Sequence, residues 1–109
     1  MSIRVQSIFA DVPEVSTKEH FLTLFESPTV KIERIVSQSH STPAGVWYDQ
    51  DQEEWVIVLR GQATLQFEHG EPVQMKAGDY VTIPTHLRHR VEETNPDTIW
   101  LVVHVRKEN

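Results

Sequence analysis

The chain has no cysteine, which excludes disulfides, thiolate nucleophiles and thiolate metal sites and leaves histidine, carboxylate and amide groups as the only side chains for a metal. No serine stands beside a histidine in a strand-to-helix elbow, so nucleophilic catalysis has no obvious agent. Basic residues are outnumbered, 10 Lys and Arg against 16 Asp and Glu, and the resulting net charge of −6 opposes a polyanion. Nucleic acid is not an expected partner. No stretch approaches the roughly 18 apolar residues a membrane span needs, and the opening from Met1 to Gln6 has no apolar run behind a basic start. A soluble, unexported, cytoplasmic protein with no membrane partner is the expectation.

What the chain does have is alternation. At 109 residues it is expected to form one domain, 1–109, with a single core. From Phe21 onward the apolar period is mostly two, and turn residues interrupt it at short intervals. Strands are expected over Phe21–Glu26, Val30–Val36, Glu54–Arg60, Ala63–Glu68, Val73–Lys76, Tyr80–Ile83, Arg88–Glu92 and Thr98–Val105. Val30, Ile32 and Val36 would share one face. The Glu54–Arg60 and Ala63–Glu68 runs read as a hairpin about Gly61, and His69 to Pro72 turns the chain into the next strand. Residues 13–20 read as either a helical turn or irregular chain, since Ser16 and Glu19 have capping-box spacing but the apolar pattern after them suits a strand. Short strands with no intervening helices favour a closed antiparallel barrel or jelly roll.

Two spaced signatures stand out in the second half. Glu54 is followed after six residues by Gly61, and Gly78 is followed after five by Pro84 and after four more by His89. With Gly45, these positions resemble the two motifs of the cupin superfamily, of which the first carries a paired His-x-His before its glutamate and the second ends in Pro-x-Gly-x-x-His. The runs Trp47–Trp55 and Ile83–Val91 look like those of small single-domain bacterial cupins. The resemblance implies an all-β, cupin-type antiparallel barrel, a double-stranded β-helix. It also implies a pocket that holds a divalent metal, iron, manganese, nickel or zinc, and acts on an oxygen-containing small molecule by oxidation or isomerisation. Cupins are often dimers. The departure is that Gly45 to Glu54 contains no histidine, so of the metal ligands only Glu54 and His89 carry over.

In the two registers the first motif allows, Tyr48 and Gln50 or Trp47 and Asp49 stand at the histidine positions. Gln50 offers a carbonyl oxygen and Asp49 a carboxylate, so an oxygen-rich ligand set of Gln50, Glu54 and His89 is one reading. His86 stands where the second motif has glycine. With Glu54 and His89 it would make a two-histidine, one-carboxylate set, provided the chain bends after Pro84 so that residues three apart can face one way. The plainer reading makes Glu54 and His89 a buried polar pair with no metal. His104 shares a strand face with Trp100 and Val102 and is either a pocket wall or a surface residue. His86, Arg88 and Arg90 would either attract an anion or form a solvated basic face, and Trp47 and Tyr48 are core packing or the mouth of a pocket. His20, His40 and His69 are expected in solvent.

Strand alternation also turns Glu54, Val56 and Val58 one way and Trp55, Ile57 and Leu59 the other. An apolar outer face carrying a tryptophan needs cover, and a homodimer is the expected cover. The functional alternatives are a metal-dependent small-molecule cupin, a metal-free pocket that binds without turnover, and a structural or regulatory dimer whose pocket is filled.

Overall fold

A computed structural model describes residues 2–14 and 18–106, and the described residues contain eight strands and no helix. They are β1 (His20–Glu26), β2 (Val30–Ser37), β3 (Glu53–Arg60), β4 (Gln62–Phe67), β5 (Val73–Lys76), β6 (Tyr80–Ile83), β7 (His89–Thr94) and β8 (Thr98–Val105). All pairings are antiparallel. They build a five-stranded sheet in the order β1-β2-β8-β3-β6 and a three-stranded sheet in the order β5-β4-β7. This is the expected all-β jelly roll. None of the described residues forms a helix long and apolar enough to cross a membrane. The helical turn considered over 13–20 falls partly on positions outside the described residues; positions 13, 14, 18 and 19 are irregular, and His20 opens β1.

The core is where the two sheets meet. Val56, Val58, Ile83, Trp100 and Val102 from the larger sheet pack with Ala63, Leu65 and Met75 from the smaller one. Alternation along β3 produces this directly: Glu54, Val56 and Val58 are buried, while Trp55, Ile57 and Leu59 on the other face are half-buried. On β2, Val36 belongs to the outer face together with Arg34, which is 1% exposed. The Arg34 guanidinium donates to the carbonyls of Ile8 and Ala10, at 3.1 and 2.7 Å, and so straps the amino-terminal segment across the outside of the sheet.

One expected pairing is corrected. β3 and β4 are not a hairpin, because β3 pairs with β6 and β8 whereas β4 pairs with β5 and β7. Gly61 is a corner at which the chain leaves one sheet for the other. Its φ is +87°, and a Cβ there would lie 2.7 Å from the Asp97 carbonyl oxygen and 2.7 Å from Thr98 Cα. Only glycine meets both the backbone angle and the close approach. Gly78 has φ +95° and open space around it, so it meets the first demand without the second.

Gly61→Ala is therefore expected to destabilise the fold by about 3 kcal/mol or more, and Gly78→Ala by about 1–2 kcal/mol, in denaturant titrations. Equal losses at the two positions would show that the Gly61 corner relaxes around a side chain.

Candidate functional site

Glu54 enters the barrel from the middle of the larger sheet. Its strand β3 lies between β6 and β8, where Glu54 is in register with Ile83 on one side and His104 on the other. His89 comes from the opposite sheet, as the first residue of β7. The loop that follows β2 seals the edge of that strand: Thr42 N–H donates to Val91 O, and Tyr48 exchanges two backbone hydrogen bonds with His89 at 2.7 and 3.0 Å. Those bonds place the Tyr48 side chain and Gln50 at the barrel mouth.

Glu54, His89, Tyr48, Gln50, His104 and Glu33 line one cavity of about 150 Å³, with apolar walls from Val56, Leu65, Ile83, Val102 and Trp100. Glu54 is 7% and His89 6% exposed. His89 Nδ1 lies 2.9 Å from the Leu87 carbonyl; a carbonyl only accepts, so Nδ1 carries a proton and Nε2 is the ring nitrogen turned to Glu54. That Nε2 is 3.8 Å from Glu54 Oε1, within ion-pair range and too long for a hydrogen bond. Among the described residues Glu54 Oε1 has no hydrogen-bond partner. Burial raises the Glu54 carboxyl above its ordinary range, the nearby His89 and His104 oppose that rise, and Glu33 reinforces it. Next to it, His104 Nε2 lies 3.4 Å from Glu33 Oε1. Four titratable groups therefore run across the cavity from β7 through β3 and β8 to β2.

The other expected site residues fall elsewhere. His86 does not join Glu54 and His89: its φ is +63°, its N–H donates to Gln50 O at 2.7 Å, and its exposed ring donates to Asp49 Oδ1 at 2.8 Å. The bend after Pro84 does occur, but it turns this imidazole outward. Asp49 accordingly lines an outer pocket with His86 and not the cavity that holds Glu54, while His104 is a pocket wall and not a surface histidine. Arg88 and Arg90 lie over the Trp47 ring at 5.7 and 5.9 Å and pair with Glu68 and Glu92, so neither supplies an anion site in the cavity. Nor is His40 in solvent; it is half-buried, and its Nδ1 accepts from Gln38 N–H.

Two groups of the site escaped the sequence reading. Glu33 was hidden because β2 carries apolar residues on both faces, so parity alone does not say which side is inward; only its registers with Val102 and with the strand that carries Glu54 do. Glu19, just before β1, reaches the cavity and accepts from Ser37 Oγ, which in turn accepts from the Trp100 indole N–H at 3.1 Å. The available signal was a carboxylate inside an apolar strand, which demands a partner wherever it points.

Gln50, Glu54 and His89, the residues expected to hold a divalent ion, do share a cavity. They do not fit a metal centre. A reactive centre takes about three strong protein donors, and here a neutral amide accompanies one carboxylate and one imidazole. Among the described residues no group of three or more His, Cys, Asp or Glu side chains converges in a way that would hold an ion.

The sequence profile of the family described as the cupin domain matches residues 38–104. In structure the chain is similar to a Ralstonia eutropha JMP134 protein provisionally named a mannose-6-phosphate isomerase, with 41% identity over 95% of this chain and 99% of that one and a TM-score of 0.91. It is also similar to a cupin superfamily protein of Desulfitobacterium hafniense, at 14% identity, 88% and 84% coverage and TM-score 0.76. A third similar structure is an RmlC-like cupin of double-stranded β-helix fold from Methanocaldococcus jannaschii, at 20% identity, 88% and 87% coverage and TM-score 0.71. The last two share the fold alone. No curated protein matches the sequence.

The raised Glu54 carboxyl fixes the sign of a pH effect. Between the ordinary carboxylate range and the raised value the folded chain binds more protons at this site than the unfolded chain, so stability from this group is full below that window and is lost as pH rises through it. Glu54→Gln should flatten the fall and leave the variant about 1 kcal/mol more stable than wild type on the alkaline side, as read from denaturant unfolding across pH. Parallel curves for the two proteins would mean that Glu54 is not destabilised by burial.

Proposed function

Because this chain belongs to the cupin family, we propose that it binds a compact, oxygen-containing small molecule in the barrel and moves a proton on it with Glu54 and His89, as an isomerisation requires. The observation that carries the reading is the buried, unpartnered Glu54 oxygen 3.8 Å from Nε2 of His89. A carboxylate lifted toward neutrality by burial is a competent base for a hydrogen on the carbon next to a carbonyl. Glu54 would take that proton, hold it, and return it to the neighbouring carbon. His89 Nε2 would take the hydroxyl proton from one oxygen and deliver it to the other. Atoms and electrons balance without an external oxidant, and a neighbour provisionally named an isomerase supports the same class. Oxidation, the other class the resemblance implies, would route through a metal centre that these donors do not complete. Cytoplasmic action is part of the same proposal.

Proton transfer of this kind leaves deuterium in the substrate. Wild-type protein stripped with a chelator should wash deuterium from D2O into the carbon next to the carbonyl of small hydroxy-aldehydes or hydroxy-ketones, detected by NMR. Glu54→Gln should slow this by about 10²–10⁴-fold. Exchange that appears only after loading with iron, manganese, nickel or zinc would instead restore Gln50, Glu54 and His89 as metal ligands.

A homodimer is the second part of the proposal. Across the outer face of the larger sheet, Phe25, Ile32, Val103 and Trp55 lie in one register row. Trp55 also packs on Tyr80 at 5.4 Å between ring centroids, and Tyr80 is 63% exposed. A patch of this kind is ordinarily covered, and a second copy would cover it. Sedimentation velocity should give a dimer for wild type and a monomer for Trp55→Arg; a strictly monomeric wild type would remove this part.

A further inference from the structure

Carboxylates outnumber imidazoles along the cavity. Three carboxylates, Glu19, Glu33 and Glu54, face it with the imidazoles of His89 and His104, and no lysine or arginine among the described residues lines it. Nearby cations already have partners. Lys31 pairs with Glu33 Oε2 at 3.5 Å, while Arg88 and Arg90 are held by Glu68, Glu92 and the Trp47 ring.

The carboxylates are not equivalent. Glu19 accepts from Ser37 Oγ, and Glu33 Oε1 has the His104 ring. Glu54 lines the cavity with a side chain more than nine-tenths buried, and its Oε1 has no hydrogen-bond partner among the described residues. A buried acceptor of that kind is stabilised by a donor, and a ligand's ammonium group supplies one. The walls around it are apolar and aromatic, with Trp100 inside and Phe21 and Tyr48 toward the mouth, and aromatic faces attract cations.

Resting on the small-molecule reading above, we infer that the ligand is a compact cation, a protonated amine carried on a small ring or a short apolar chain, and not a phosphorylated sugar. A phosphate would bring up to two negative charges beside Glu54 and Glu33, and the nearby Lys31 ammonium is already paired with Glu33 at 3.5 Å. About 150 Å³ is the space that holds a six-membered ring. An amine that also bears a carbonyl and a hydroxyl group on neighbouring carbons satisfies both this charge and the proton-transfer chemistry.

The test is calorimetric titration of the full chain at mildly alkaline pH with benzylamine, benzyl alcohol, benzoate and mannose 6-phosphate. Benzylamine is expected to bind at least about tenfold more tightly than benzyl alcohol, with benzoate and mannose 6-phosphate weakest. Glu54→Gln should erase the preference for the amine over benzyl alcohol, and Glu54→Asp should keep part of it, which separates loss of charge from loss of fold. Benzoate or mannose 6-phosphate binding as tightly as benzylamine would overturn the cation inference and leave the small-molecule reading standing. Silence with all four probes, from protein that melts cooperatively, would overturn both.

Discussion

A carboxylate inside an apolar barrel loses most of its hydration, and the loss costs several kcal/mol unless protonation, a hydrogen bond or a cation offsets it. Glu54 is in that position, with one oxygen unpartnered and its nearest counter-group, His89 Nε2, at 3.8 Å. The fold therefore carries a local instability that a ligand donor or a proton can relieve. Sites tuned in this way are where binding and acid-base chemistry concentrate, since the same desolvation that destabilises the ionised group makes it reactive near neutral pH.

The rest of the barrel keeps that carboxylate in place. β3 is flanked on both sides, so Glu54 cannot turn outward without a one-residue slip that would also expose Val56 and Val58. The Gly61 corner sends the next strand into the opposite sheet, and the loop from Thr42 to Gln50 fastens itself along β7, where His89 begins. Carboxylate and imidazole thus come from different sheets. Each is fixed by backbone hydrogen bonds of its own, which is how a rigid pair can be held short of a direct contact.

Much of this was legible in the sequence. Alternation and turn residues located all eight strands, because a half-buried strand must alternate and Gly61, Gly70, Gly78 and Pro84 sit where it must stop. The spacing of Glu54 and His89 pointed to one pocket. What stayed hidden was tertiary. Strands one residue apart at Gly61 read naturally as a hairpin, and only closure of two facing sheets separates them. The inward turn of Glu33 depends on the β2–β8 register, and the outward turn of His86 depends on a left-handed backbone angle that a non-glycine residue seldom adopts.

The identity of the metal ligands expected from the resemblance illustrates how far a motif carries. Its glycines and proline specify corners and strand ends, and these are kept. Its first pair of histidines specifies chemistry, and here Tyr48 and Gln50 reach the same cavity with a phenol and an amide. Fold and reactivity are written in different residues of one motif, so one survives without the other.

The most direct measurement is a carbon-13 NMR titration of the Glu54 carboxyl, assigned by comparison with Glu54→Gln. A titration midpoint clearly above those of the exposed glutamates, falling when benzylamine is added, is the expected result. A midpoint at or below the ordinary carboxylate range in the free protein would contradict it, because Glu54 would then be a satisfied structural ion pair.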